Sequence, residues 1–199
     1  MTASDRVRVG VLIPSTMAPE KIAGNCRLIE NLGFDELWIA EDYFFAGGIA
    51  GAAYALAATT RIPVGLGILA AVARHPAVTA MEVATLARAY PGRLMTGIGH
   101  GVPAWTKQMG LYPKSPLATL RQVIESTRDL LAGKTLNGSE GPFEFHDVTL
   151  FHPVSEPVEI YAGVIGPKSL ELAGELADGT VMSVISAPEY LRFSREHIA

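Results

Sequence analysis

The chain has 199 residues, of which 49% are hydrophobic, and 16 basic against 20 acidic side chains leave a formal net charge of −4 at pH 7. This composition predicts one folded domain with a large core and argues against a disordered protein. The mild negative charge disfavours nucleic acid as a partner, and no uncharged apolar run reaches the roughly 18 residues of a membrane span. We expect a cytoplasmic protein without a signal peptide.

Short apolar runs, typical of parallel strands buried on both faces, alternate with longer helical segments. The six predicted strands are Val7–Ile13, Glu36–Ala40, Pro63–Leu69, Leu94–Ile98, Val158–Ala162 and Thr180–Ile185. The predicted helices between them are Pro19–Leu32, Ala50–Thr59, Pro76–Tyr90, Pro116–Ala132 and Ser169–Ala177, and a further helix opens at Pro188. This βα repeat predicts a parallel sheet with right-handed crossovers.

One segment, 133–153, interrupts the repeat and is interpreted as an insertion. We predict a hairpin there, in which Phe143–Phe145 turns at His146–Asp147 into Val148–Phe151. The spacing of its histidines does not indicate a zinc site, so no metal is expected. A closed (β/α)₈ barrel takes about 250 residues, so the pattern alone leaves two architectures open, part of such a barrel or an open doubly wound sheet.

In both architectures the loops that follow the strands form the functional face. Five clusters fall there, namely Pro14–Thr16, Glu41–Tyr43, Ala70–Pro76, Gly97–Trp105 and Ala162–Ser169. Two adjacent acids, Glu41 and Asp42, suit proton transfer or the binding of a ring nitrogen, although they could instead cap a helix or pair with an arginine. Arg74 and His75 either contact a ligand or only begin a helix.

A histidine and a helix start complete the candidate chemistry. His100 lies in "GIGHG", where it suits a donor to an anion or an acid/base group. This is not a dinucleotide fingerprint, because Val102 stands where the third glycine belongs. In "AGVIGPKS", Gly163 and Gly166 allow a tight exit from a strand, and the helix N-terminus that follows favours a phosphate. The alternative is a plain loop in which Ser169 caps the helix.

Three stretches carry a family resemblance: "LGFDELWIAEDYF", "RHPAVTAMEVATLARAYPGRLMTGIGHG" and "GPKSLELAGELADG". They resemble the luciferase-like monooxygenase superfamily, and within it the methylenetetrahydromethanopterin reductase branch. The resemblance implies a TIM (β/α)₈-type barrel, of which residues 1–199 would be a single domain truncated after about six strands. It also implies an oxidoreductase that moves a hydride between FMN or the deazaflavin coenzyme F-420 and a small organic substrate. We expect a homodimer.

Position by position, the resemblance assigns roles to residues of this chain. Glu41 and Asp42 match the acidic pair beside the reactive ring edge, and His100 stands where the luciferases have a phosphate-binding arginine. The strand-three bulge behind the ring, often with a non-proline cis peptide, matches Leu69, Ala70 and Ala71. The phosphate-binding segment matches Gly163, Gly166, Pro167, Lys168 and Ser169. Catalytic roles are thus expected for Glu41, Asp42 and His100.

The sequence departs from the family pattern at His100 and at Ala87, where members often carry an acid. The histidine weakens the case for FMN without establishing the deazaflavin. The chain is also shorter than family members, which leaves a second hypothesis, a non-catalytic flavin-binding or interaction protein. A phosphate-sugar isomerase or aldolase would need a strand-end lysine or a metal cluster, and the sequence offers neither.

Overall fold

A computed structural model describes residues 6–139 and 141–198. The eight strands of this part are β1 (Gly10–Ile13), β2 (Glu36–Ile39), β3 (Val64–Ala70), β4 (Leu94–Gly99), β5 (Leu136–Gly138), β6 (Phe145–Val148), β7 (Ile160–Gly163) and β8 (Gly179–Val181). Its helices are α1 (Pro19–Asn31), α2 (Gly48–Ala58), α3 (Pro76–Ala89), α4 (Pro103–Gln108), α5 (Pro116–Leu131), α6 (Pro167–Leu176) and α7 (Pro188–Ile198).

Six strands form one parallel sheet in the order β1-β2-β3-β4-β7-β8. Alternate residues of a strand point to opposite faces, and β2 shows the result. Leu37 and Ile39 lie in a core shared with the helices, whereas Trp38 lines a cavity on the other face. The helix-side core is continuous, and Leu66, Ile98 and Ile160 are fully buried in it. The sheet therefore has one face packed against helices and one face turned to a concave interior, as in half of a barrel.

All six predicted strands and all five predicted helices are present, with shifts at their ends. The largest shifts affect the edge strands, since β1 begins at Gly10 rather than Val7 and β8 ends at Val181 rather than Ile185. The sequence reading missed α4, which lies inside the predicted loop 99–115. A six-residue helix is too short for a helical period to be recognised.

The predicted hairpin is wrong. β5 pairs with β6, with Leu136 opposite Val148 and Gly138 opposite Phe145. Phe143, expected to begin a strand, instead binds the side chain of Gln122 on α5: its amide donates to Oε1 at 3.0 Å and its carbonyl accepts from Nε2 at 2.7 Å. Those two hydrogen bonds use the main-chain groups that a strand would pair with another strand.

Within residues 6–139 and 141–198, no helix is long and apolar enough to cross a membrane. The same residues contain no group of three or more His, Cys, Asp or Glu side chains placed to hold a metal ion.

Candidate functional site

A cavity of about 920 Å³ lies on the concave face and extends to the carboxyl ends of the strands. Ligand pockets in proteins usually occupy about 300–1,000 Å³, so it is large enough for a cofactor ring and a small substrate. The predicted site residues that line it are Glu41, Asp42, Ala70, Ala71, His100 and Gly163. Leu69 does not line it, because its side chain is buried in the helix-side core.

Glu41 lies beneath the loop that joins β2 to α2, and its side chain is only 2% exposed. Arg74 approaches it with both terminal nitrogens, each 2.7 Å from a different carboxylate oxygen. The amide of Gly48 donates to Oε2 at 2.8 Å and the hydroxyl of Tyr43 donates to Oε1 at 3.1 Å. Among the alternatives given for the two acids, Glu41 forms the pair with an arginine, and it does so in the strong bidentate form.

The Glu41–Arg74 pair also acts on its neighbours. Burial and the adjacent Glu41 carboxylate raise the pKa of Tyr43 to about 12, so its phenol stays neutral over the physiological range. The Glu41 carboxylate in turn raises the pKa of Arg74, which remains a cation. The ring of Tyr43 meets Trp105 of α4 edge to face, with centroids 6.5 Å apart. One ion pair thus connects the loops after β2 and β3 with α4.

Asp42 points elsewhere, although it is the next residue. Its Oδ2 accepts a hydrogen bond of 2.6 Å from the hydroxyl of Ser15, which follows β1 and is buried. Asp42 is only partly buried and lines the cavity. Both acids line the cavity, but their environments differ: Glu41 is buried with both oxygens bound to Arg74, Tyr43 and Gly48, whereas Asp42 is partly exposed and is bound only by Ser15.

The irregularity in β3 lies two residues before the predicted position. The register between β3 and β4 shifts between Leu66 and Leu69, and the peptide between Gly67 and Ile68 is cis. The side chain of Ile68 lies over three glycines of the neighbouring strands, Gly97, Gly99 and Gly163, at each of which a Cβ atom would collide with it. The bulge was therefore predicted too far along the strand, at Leu69, Ala70 and Ala71. The glycines of β4 and β7 leave space for the side chain of Ile68.

His100 follows β4, lines the cavity and contacts the first turn of α6. Its Nε2 lies 2.9 Å from the hydroxyl of Ser169. Burial lowers the pKa of the His100 imidazole, so the ring is held in its neutral form. α6 begins at Pro167, two residues earlier than expected, and Ser169 makes no capping hydrogen bond. The capping alternative for Ser169 is thus wrong, and its hydroxyl binds the histidine instead.

The remaining phosphate-segment residues lie beside the cavity rather than on its surface. Gly166 is the N-cap of α6, and a Cβ atom there would meet nothing within 4 Å. Lys168 is exposed at the first turn. His75, which the sequence left open, begins α3: Nδ1 accepts from the amide of Ala77, and Nε2 lies 3.1 Å from the Glu144 carbonyl.

The depressed pKa of His100 predicts a specific pH dependence of stability. The unfolded chain binds a proton at His100 more readily than the folded chain, so the free energy of unfolding falls as the pH drops below the unfolded value of about 6.5. We expect His100→Gln to lose less stability than the unaltered chain between pH 7.5 and pH 5.5 in urea titrations. His146→Gln, which changes an exposed ring, serves as control and should keep the full dependence. Equal pH dependence in all three proteins contradicts the prediction.

Two features of the site were missed from the sequence. Ile68 was taken as part of a plain strand, and the only signal for it was the run of glycines in "TGIGHG" on the next strand. Ser15 was noted among the loop residues after β1 but was given no role. Its partner, Asp42, is 27 residues away, and nothing in the local sequence pattern relates the two.

Comparison with known proteins places these features in a family. A model of the luciferase-like monooxygenases matches residues 4–199. The 5,10-methylenetetrahydromethanopterin reductase of Methanolobus tindarius is 31% identical over 90% of this chain and 54% of its own length. An F420-dependent glucose-6-phosphate dehydrogenase of Microbacterium testaceum is 32% identical over 81% of this chain and 52% of its own. The chain thus spans about half the length of these relatives.

Solved structures agree. The coenzyme F420 dependent tetrahydromethanopterin reductase from Methanopyrus kandleri superimposes with a TM-score of 0.87 and 26% identity over 97% of this chain and 60% of its own. An F420-dependent secondary alcohol dehydrogenase gives a TM-score of 0.81 at 22% identity, covering 96% and 64% respectively, which shows the fold alone. Of the two architectures left open, part of a barrel is confirmed, because the six-stranded parallel sheet matches luciferase-like barrel structures. The chain belongs to the luciferase-like monooxygenase family.

Proposed function

We propose that this chain is the cofactor-binding part of a deazaflavin-dependent oxidoreductase that moves a hydride between coenzyme F-420 and a small organic substrate. One observation carries the proposal: a single cavity at the strand ends brings together Ile68, Asp42 and His100. The similarity to relatives named as F420-dependent or as methylenetetrahydromethanopterin reductases supports the deazaflavin over FMN.

The residues present suit such a group. Ile68, raised over three glycines, offers an apolar surface against which a flat ring can lie. The first turn of α6 offers main-chain amides, the exposed Lys168 ammonium and the Ser169 hydroxyl, which are the donors that a phosphate requires. The open backbone at Gly166 leaves room for close approach. We propose that Ile68 supports the ring and that the segment from Gly163 to Ser169 holds the phosphate.

When bound, the deazaflavin supplies the hydride chemistry, and the chain supplies orientation and proton transfer. Asp42 lines the cavity and is the acid placed to exchange a proton with a ligand or hold a ring nitrogen. His100 is kept neutral by burial and can accept a proton at a nitrogen or donate a hydrogen bond. Both carboxylate oxygens of Glu41 already accept hydrogen bonds, from Arg74, Tyr43 and Gly48. We therefore assign it to positioning the loop rather than to the proton transfer first expected of it.

The decisive measurement is a titration of the purified chain with F-420 and with FMN, followed by absorption and by tryptophan fluorescence. We expect F-420 to bind at least tenfold more tightly than FMN, and His100→Ala to weaken F-420 binding by about tenfold, the effect of losing one good hydrogen bond. His146→Ala, distant and exposed, is the matched control and should bind as the unaltered chain does.

Each outcome of this titration separates the hypotheses. Tighter binding of FMN assigns the chain to the flavin-dependent monooxygenases of the family. Binding without hydride transfer, either from a reduced substrate to the cofactor or from the reduced cofactor to an oxidised substrate, supports the non-catalytic flavin-binding protein. Failure to bind either cofactor contradicts the proposal. The small-molecule substrate, the homodimer and the cytoplasmic location remain predictions.

A further inference from the structure

Ser15 is a buried residue after β1 whose hydroxyl binds Asp42, an acid that lines the cavity. Its place follows from the sheet. β1 and β2 are parallel and in register, with Ile13 opposite Ile39 and the Ala40 amide donating to the Ile13 carbonyl. Two residues beyond this pair, the chain emerging from β1 reaches Ser15 while the chain emerging from β2 reaches the two acids. Strand register thus brings Ser15 and Asp42 together.

The hydrogen bond between them has the geometry of a strong one. The Ser15 hydroxyl donates to Oδ2 of Asp42 over 2.6 Å, the length expected when a hydroxyl binds a charged carboxylate. Ser15 is only 6% exposed, so water competes little for this bond. The hydroxyl has no helix-capping duty, because α1 begins at Pro19 and its N-cap is Ala18.

The bond leaves one oxygen of Asp42 available. Among the described residues, Oδ1 of Asp42 receives no hydrogen bond, whereas Oδ2 receives the one from Ser15. A strong hydrogen bond at Oδ2 restricts the rotation of the carboxylate and so limits the directions in which Oδ1 can point. Glu41, by contrast, has both oxygens occupied below the loop.

We propose that Ser15 is a positioning residue that holds Asp42 so that Oδ1 meets the cofactor ring or substrate in the cavity. The inference rests on the proposed function and extends it, since it assigns a role to a residue of the loop after β1. It also divides the two acids: Asp42, held by Ser15, is the group that meets the ligand, and Glu41 is not.

The first experiment tests the effect on binding. F-420 is titrated into the full chain carrying Ser15→Ala, Ser15→Thr, Asp42→Asn or both Ser15→Ala and Asp42→Asn. We expect Ser15→Ala to weaken binding by about tenfold, Ser15→Thr to stay within about twofold because it keeps the hydroxyl, and the double variant to equal Asp42→Asn alone. Thr16→Ala, which removes the exposed neighbouring hydroxyl, is the matched control and should bind normally.

A second readout needs no cofactor. In protein labelled with ¹³C at the aspartate carboxyl groups, the Asp42 signal is assigned by its absence in Asp42→Asn. We expect this signal to move in Ser15→Ala, to return to its original position in Ser15→Thr and to stay unchanged in Thr16→Ala. Thermal unfolding of each variant is measured alongside, and a folded Ser15→Ala with an unmoved Asp42 signal overturns the inference.

The two readouts separate this inference from the proposed function. If the unaltered chain binds neither F-420 nor FMN while the carboxyl signal moves as expected, the proposed function fails and the hold of Ser15 on Asp42 stands. If the unaltered chain binds F-420 and Ser15→Ala binds it equally well, the role of Ser15 fails alone. An effect of Ser15→Ala that persists undiminished in the Asp42→Asn background also overturns it, because the hydroxyl would then act through another group.

Discussion

Arg74→Met should lower the free energy of unfolding by about 3 kcal/mol and weaken cofactor binding as well. The reason is that the Glu41 carboxyl group, 2% exposed, would stay buried while losing its cationic partner and both hydrogen bonds of the bidentate pair. Removing one partner of a buried pair typically costs about 3–5 kcal/mol, and the 23% exposure of the Arg74 side chain places the effect at the low end. Urea denaturation followed by circular dichroism measures it.

Two further variants define the cause. Arg74→Lys keeps the charge but cannot bind both oxygens in the same plane, so its loss should be intermediate. The double variant Glu41→Gln/Arg74→Met should lose less stability than the sum of the two single variants. Each single change leaves one buried group of the pair without its partner, whereas the double change leaves neither charge unpaired. Arg192→Met is the matched control: its pair with Glu189 is exposed on α7 and should contribute less than about 0.5 kcal/mol. Additive losses at Glu41 and Arg74 contradict this account.

The second large effect concerns the glycines beneath Ile68. The three atoms nearest to a Cβ atom at Gly163 would all belong to the Ile68 side chain, with Cγ2 at 2.8 Å. A Cβ atom at Gly99 would meet Ile68 and also the main-chain carbonyl oxygen of Gly163. We expect Gly163→Ala and Gly99→Ala each to lower the free energy of unfolding by about 1–3 kcal/mol, the usual cost of overpacking.

The Ile68→Ala background distinguishes the two glycines. There, Gly163→Ala should cost less than about 0.5 kcal/mol, because the three atoms nearest to the new Cβ are gone. Gly99→Ala should keep most of its cost, since a backbone oxygen cannot withdraw. Gly24→Ala is the control. Gly24 is an exposed residue of α1, and a Cβ atom there would meet nothing within 4 Å, so the change should stabilise the chain by about 0.5–1 kcal/mol. Rescue of Gly99→Ala by Ile68→Ala would show that the backbone contact is not the obstacle.

The sequence predicted the regular parts of the fold well, for a physical reason. β3 and β4 lie in the middle of the sheet and consist mainly of apolar residues and glycine, and each was predicted to within one residue at either end. Edge strands are held on one side only, and the end of β8 was predicted four residues too late, at Ile185 instead of Val181. The hairpin failed because Phe143 binds a glutamine side chain on α5, a tertiary contact that no local pattern contains.

The candidate site was predictable in its location but not in its pairing. The rule that function lies at the carboxyl ends of parallel strands placed Asp42, His100 and Gly163 correctly on one cavity. It could not tell which of the two adjacent acids would have both carboxylate oxygens occupied by protein groups and which would keep one available. That choice depends on Arg74, 33 residues from Glu41, and on Ser15, 27 residues from Asp42.

The order of strands in the sheet bears on how the chain is made. β1, β2, β3 and β4 are neighbours in the sheet in the order of their synthesis, and β7 and β8 extend it on the same side. Each strand that leaves the ribosome therefore finds its partner already present, and no strand has to be inserted between two others. The loop after β1, which carries Ser15, is complete before the acids of the loop after β2 emerge. The site can thus be assembled in the direction of translation, one loop at a time.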